Sequence, residues 1–247
     1  MSDLVNKTVL LTGAAKRLGA AIARAAHGEG ANVAIHYRQS RAQAENLCAE
    51  FNGLRENSAI AVQADLLDTT THARLIQETL AAFGRLDVLV NNASTFYATP
   101  LGAITEEQWK DLMGTNLKVP LFLSQAAAPA LKASHGLILN MVDIHAQRPL
   151  RGHPVYSIAK AGLLMLTKSL ARELGPEVRV NGIAPGPVMW PEHAMDQQLK
   201  DEIIGKTALK RSGSAEDIAR TALFFMKDAP YVTGQILSVD GGRSISW

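Results

Sequence analysis

The sequence predicts an α/β fold of Rossmann type: a doubly wound parallel sheet with helices on both faces. Two observations carry that prediction. Short apolar, β-branched blocks alternate along the chain with longer stretches of helical period. The blocks lack polar alternation, as strands covered by helices on both faces should. Such repetition closes through right-handed crossovers.

Taken in order, residues 8–12 read as the first strand and 18–29 as the first helix, closed by Gly28 and Gly30. Residues 32–36 form a second strand, followed by an alanine-rich helix near 41–54. A third strand over 59–63 precedes a helix over about 70–83, and 86–90 is a fourth strand. Strands over 137–142 and 179–183 flank a helix over about 155–174, and a last strand covers 235–239. The segment 186–212 is rich in proline, methionine and charge and interrupts the alternation. Long loops in compact domains are uncommon and often functional, so it reads as a substrate loop or lid before an ordinary surface excursion. With no linker, repeat or low-complexity tract, residues 1–247 read as one domain.

Composition removes several function classes. The chain is 47% hydrophobic and 19% charged, as a globular protein with a sizeable core should be. Its net charge of +2 is too small for a nucleic-acid partner, which needs a clustered basic face. The one cysteine, Cys48, permits neither an internal disulfide nor a cysteine-built zinc site, and no histidine cluster has metal-ligand spacing. The first residues lack a signal peptide's basic and apolar regions, and no apolar run is long enough to span a membrane. The expectation is a cytoplasmic protein without metal, membrane or nucleic acid.

Thr12-Gly13-Ala14-Ala15-Lys16-Arg17-Leu18-Gly19 follows the first strand and opens a helix. A turn in that position offers backbone N–H groups and the positive helix end to a phosphate. Gly13 allows the turn to be tight, and Gly19 allows close packing of helix on strand. Arg17 stands where a glycine is expected and suits a phosphate oxygen. The second strand ends in His36-Tyr37-Arg38-Gln39-Ser40-Arg41, with no acid before Glu45. An acid there would bind a ribose 2′-hydroxyl and repel a 2′-phosphate. Arg38 and Ser40 instead suit the phosphate, so NADPH is expected in preference to NADH.

In Tyr156-Ser157-Ile158-Ala159-Lys160 the tyrosine and lysine are i and i+4 on a predicted helix, hence neighbours on one face. The ammonium is expected to lower the phenol's pKa. A phenol so tuned can protonate a carbonyl or imine as hydride arrives.

With these motifs in this strand order, the chain resembles the short-chain dehydrogenase/reductase family over essentially its whole length. The matching features are the turn from Thr12 to Gly19, Asn91-Asn92-Ala93, Asn116, and Tyr156 with Lys160. The resemblance implies that Asp65, with Leu66 beside it, contacts adenine. It also implies that Pro185-Gly186 leads into the substrate loop and that Asn116 supports a proton-relay water near Lys160. Two positions depart from the general pattern. Ser94 follows Asn91-Asn92-Ala93 where the family usually has glycine, and Asp143 stands where the family usually has a serine thirteen residues before the tyrosine. Ionised aspartate is acceptor-only, so it cannot aid an oxyanion but can receive N–H groups from an aminopyrimidine.

Those departures, with Arg17, resemble the pteridine reductase branch. That likeness implies that Ser94 bonds cofactor and pterin and that Phe96 stacks on the pterin opposite the nicotinamide. It further implies that Asp143 shares a proton with Tyr156, that Lys160 orients ribose, and that Arg17 lies near both phosphate and pterin. Trp190 is either part of the substrate wall or a loop anchor, and Trp109 and Trp247 read as packing residues. His36, His145 and His153 fall near the expected site, and His193 in the loop. The expected reaction is hydride transfer from NADPH to a C=N carbon of a pterin or folate, with a homotetramer implied by relatives. The competing readings are reduction of another carbonyl, such as a 3-oxoacyl thioester, and a non-catalytic NADPH-binding module.

Overall fold

Seven strands pair in parallel in the order β3-β2-β1-β4-β5-β6-β7 in a computed structural model that describes residues 4–190 and 196–245. They are β1 Thr8–Leu11, β2 Asn32–Tyr37, β3 Ala59–Gln63, β4 Val88–Asn91, β5 Leu137–Met141, β6 Arg179–Pro185 and β7 Ile236–Val239. The helices are α1 Arg17–Gly28, α2 Arg41–Leu54, α3 Thr71–Phe83, α4 Glu106–Met113, α5 Val119–Ser134, α6 Pro154–Leu174, α7 Gln197–Gly205 and α8 Ala215–Lys227.

Alternate strand residues feed two cores, one per face. Val9, Leu11, Val33, Ile35, Val90 and Leu139 pack with Ile22 of α1, Phe51 of α2 and Phe225 of α8. Leu10, Ala34, Leu89, Ile138 and Val180 pack on the other face with Leu75 of α3, Leu123 and Leu131 of α5 and Ala171 of α6. This is why the strands read as unbroken apolar blocks: neighbouring side chains face opposite ways, and both ways are inside. The predicted Rossmann-type sheet is therefore present.

Four helices escaped the sequence reading. Between α4 and α5 the chain forms a π-helical turn, Gly114–Lys118, which shifts the helical phase, and Pro129 lies inside α5. A period of 3.6 cannot run unbroken through such a stretch. Helix α8 carries a readable signal, a capping box between Ser214 and Asp217. Helix α7 occupies part of the segment 186–212, so that segment is not all loop. The fourth strand starts at Val88 instead of 86; Asp87 turns its carboxylate to the Thr8 N–H at 2.9 Å. Trp109 is 42% exposed on α4 and is not a packing residue. Trp247 and His193 lie outside the described residues.

From β1 the chain winds out to β2 and β3, then returns to place β4 on the other side of β1. At such a reversal the loops leaving the strand ends diverge and open a crevice.

Candidate functional site

A cavity of about 550 Å³ occupies that crevice, walled at one end by Gly13, Arg38 and Asp65 and at the other by Asp143, Tyr156 and Lys160. The turn after β1 is built for close approach. Gly13 has φ +58°, and a Cβ on it would meet the Ala93 Cα at 3.0 Å. A Cβ on Gly19 would meet the Ala14 Cα at 2.6 Å, so both sequence-predicted glycine roles have a steric basis. Thr12 Oγ1 accepts from the N–H groups of Asn92 and Ala93 at 2.9 and 3.0 Å, and Asn92 Nδ2 donates to the Thr12 and Gly13 carbonyls. Beneath the turn lies His36, whose ring is bonded at both nitrogens and whose pKa burial pushes down to about 4.

Arg17 has φ +55°, in the left-handed region that favours glycine. An L side chain there costs roughly 1–2 kcal/mol. Its Nη2 donates to the Trp190 carbonyl at 3.0 Å, joining the first turn to the segment after β6. Around the end of β2 the wall is Tyr37, Arg38, Gln39 and Ser40, facing Asp65 and Leu66 after β3. Arg41 is paired with Glu45 at 2.7 Å, which leaves Arg38 as the cation of this wall.

At the other end, α6 begins with Pro154 in its first turn, where a missing N–H does no harm. Tyr156 and Lys160 are 4% and 2% exposed on its inner face. The Tyr156 hydroxyl donates to Asp143 Oδ2 at 2.8 Å, while Asp143 Oδ1 caps the following turn by accepting from the His145 N–H. Burial, then the Asp143 charge, raises the Tyr156 pKa well above 10, against the expectation that Lys160 would lower it. Lys160 Nζ lies 5.6 Å from the phenol ring centre and donates to the Met141 carbonyl at 2.9 Å. Burial lowers its own pKa to about 8, with Asp143 opposing. The carboxylate touches the hydroxyl and the ammonium does not, so the carboxylate sets the direction.

Asn116 sits in the π-helical turn. It accepts from Ser94 Oγ at 2.6 Å and donates to the Thr95 and Leu112 carbonyls, each at 3.0 Å, fixing the 94–95 segment. Phe96 is half exposed, edge-on to Tyr156 and stacked on His153, both at 4.8 Å between centres.

Leu18, Ala93, Pro185 and Gly186 join the residues already named in lining the cavity, so most sequence-predicted positions converge. Asn116, Phe96 and Trp190 do not line it; Phe96 stands beside Tyr156, and Trp190 enters through its backbone and a Lys200 ammonium 5.9 Å from its ring centre. Sequence reasoning gave no role to His36, Thr12 or the buried chain Asn91–Asn140–Thr167 behind the site. A histidine in an apolar strand was the available signal for His36. Among the described residues no group of histidine, cysteine and acidic side chains could hold a metal, and no helix is long and apolar enough to cross a membrane.

Residues 13–244 match the family model described as enoyl-(acyl carrier protein) reductase. The chain is 37% identical to pteridine reductase 1 of Leishmania tarentolae, covering 96% of each. It is also 36% identical to the 3-oxoacyl-[acyl-carrier-protein] reductase FabG of Staphylococcus epidermidis, covering 96% of this chain and 99% of that one. Among solved structures, a blue fluorescent protein from a metagenomic library in complex with NADPH superposes with a TM-score of 0.92 at 32% identity, covering 98% of this chain and 99% of that one.

Proposed function

The chain belongs to the short-chain dehydrogenase/reductase family, and from that premise we propose that it is an NADPH-dependent reductase of a pterin of the dihydropteridine, biopterin or folate type. The observation that carries the reading is the 2.8 Å hydrogen bond from Tyr156 to Asp143. A serine there would donate to a carbonyl oxygen; a carboxylate can only accept, from the phenol or from the amino and ring N–H groups of a pterin.

The cavity's residues fit the cofactor. The wall after β2 carries Arg38 and Ser40 and no acid, as a 2′-phosphate requires, with Asp65 and Leu66 opposite for adenine. Gly13, Arg17 and Gly19 would hold the phosphates, Asn92, Ala93 and Ser94 the middle, and Tyr156, Lys160, Pro185 and Gly186 the nicotinamide end. NADPH supplies the hydride when bound.

The chain's own residues manage the proton. Tyr156 remains protonated across the neutral range, because burial and Asp143 both oppose phenolate. It therefore holds the proton that a ring nitrogen requires, and its O–H must turn from Asp143 to the substrate to deliver it. After transfer, phenolate and carboxylate would stand 2.8 Å apart, and Lys160 beneath them offsets that repulsion while orienting ribose. Phe96, edge-on to Tyr156, has one ring face on His153, and a flat heterocycle would stack on its other face. Arg17 and Trp190 close the outer wall, and Asn116 holds Ser94 and the relay toward Lys160.

The reading treats the chain as one NADP-binding domain working in the cytoplasm, with 186–212 as its substrate segment. It assembles as a homotetramer through α5 and α6, which expose Leu121, Phe122, Ile158 and Met165.

A second reading, reduction of a 3-oxoacyl thioester, is favoured by the 36% identity to FabG. Following NADPH oxidation with dihydrobiopterin, dihydrofolate and an acetoacetyl thioester separates the two. Turnover of the pterins is expected; turnover of the thioester alone would overturn the first reading.

A further inference from the structure

His36 has no place in this chemistry, yet both its ring nitrogens and its carbonyl oxygen are hydrogen-bonded. It is 2% exposed at the carboxyl end of β2. The Gly13 N–H donates to its Nδ1 at 3.0 Å, so Nδ1 carries no proton. Nε2 must then hold the hydrogen, which it donates to the Ala64 carbonyl at 3.1 Å. Its own carbonyl accepts from the Ala14 N–H at 3.1 Å. One neutral imidazole thus bridges the turn after β1 to the residue that precedes Asp65 after β3. These are the two backbone segments that the proposed cofactor site assigns to the phosphates and to adenine.

An imidazole has no internal torsions, so a bridge made of it has a fixed length. Within the turn it grips, Gly13 takes φ +58° without steric cost, but Arg17 carries a side chain at φ +55°, in the left-handed region where such residues are strained. Such conformations persist where the surroundings over-determine them. The side-chain bond at Gly13 and the backbone bond at Ala14 supply that restraint from below, on the side away from the cavity.

We infer that His36 is a positioning residue that sets the spacing between the phosphate turn and the adenine wall, and through it the affinity for NADPH. The inference rests on the proposed cofactor site and is independent of which substrate is reduced. It predicts that loss of the bridge harms a ligand that must touch both segments more than one that touches a single segment. NADPH spans both; 2′-phosphoadenosine needs only the adenine side.

The test measures dissociation constants of both ligands, without substrate, for the full chain and for His36→Leu and His36→Gln. Glutamine keeps one acceptor and one donor; leucine has neither. The expected result for His36→Leu is NADPH weakened about tenfold or more, as loss of two buried hydrogen bonds implies, with 2′-phosphoadenosine held within about twofold. His36→Gln should recover most of the NADPH affinity. Equal weakening of both ligands, unchanged NADPH binding, or a glutamine variant no better than leucine would each overturn the positioning role. If His36→Leu does not fold, the same ratio is read in His36→Asn, which is too short to bridge and should lose NADPH selectively. Failure of the unaltered chain to bind NADPH at all would instead overturn the cofactor reading beneath it.

Discussion

Around Gly13, His36 and Ala64 the backbone is held by hydrogen bonds between the ends of paired strands, whereas Phe96, Asp143 and Trp190 lie on connecting segments and are held by side chains at helix starts, Tyr156 of α6 and Arg17 of α1. In the first region each functional residue lies in a strand or just beyond one, so the sheet's register sets its place. In the second, Asp143 is placed by the turn it caps, Phe96 by ring contacts, and Trp190 by a bond from Arg17 to its carbonyl and the Lys200 ammonium over its ring. The contrast separates two tasks. On the proposed reading, a common cofactor is gripped by the scaffold, and substrate choice is left to segments that can change without disturbing the core.

The largest effect that would sharpen this contrast is in the substrate half. Tyr156→Phe should lower kcat by about 10²- to 10⁴-fold while NADPH affinity, followed by fluorescence titration, stays within about threefold. Turnover near that of the unaltered enzyme would remove Tyr156 as proton donor.

Acid should strike the cofactor half first. The pKa of His36 is held at about 4 against an ordinary 6.5. Between those values the unfolded chain binds a proton that the folded chain refuses, so stability present above pH 6.5 is lost as pH falls toward 4. The loss amounts to about 3 kcal/mol, readable by denaturant unfolding at a series of pH values. His27, also lowered by burial, acts in the same sense, while Asp65 and His72 are the titratable neighbours of His36. A curve that is not flattened in His36→Gln would assign the acid sensitivity elsewhere.

Asp143→Ser should cut kcat/KM for pterins by about 100-fold and raise it for simple ketones, with NADPH binding unmoved. No change in the ratio of the two substrates would make the carboxylate irrelevant to selection. In the other half, Arg38→Glu should cost NADPH about 2 kcal/mol of binding and spare NADH, a shift seen in their KM ratio. Equal losses for both cofactors would show that Arg38 does not read the 2′-phosphate.

The smallest effect falls on the residue joining the regions. Arg17→Gly relieves a left-handed φ, so stability should rise by about 1 kcal/mol and Tm by about 2–4 °C. The bond to Trp190 is lost with it, and KM for substrate should rise. A lower Tm would mean that this bond outweighs the strain.

Much of the cofactor half was legible because it is local. Thr12 to Gly19 and Tyr37 to Ser40 are contiguous, and their chemistry follows from being a strand end followed by a helix start. The substrate half was legible only in part. Tyr156 and Lys160 share a helix face, so their proximity could be read at spacing four, but Asp143 is thirteen residues away and was placed by resemblance. Lys160 was expected to tune the phenol; the fold spends its Nζ on Met141 and turns Asp143 to the hydroxyl, reversing the direction of the shift. Helix α5 stayed hidden because the π-helical turn carrying Asn116 and the internal Pro129 break the period, whereas α4, eight residues long, is marked by the capping box of Thr105 and Gln108 and not by periodicity.

By itself, then, the sequence determined the strand-and-helix alternation, the two-sided burial of the strands, the absence of an acid after β2 and the pairing of Tyr156 with Lys160. These depend on periodicity and on neighbours within a few residues. Only the tertiary structure decided that His36 bridges Gly13 to Ala64, that Arg17 reaches Trp190 across 173 positions, and that Asp143 governs the phenol. Those contacts join segments distant in the chain, and their distances exist only once the sheet has brought the strand ends side by side.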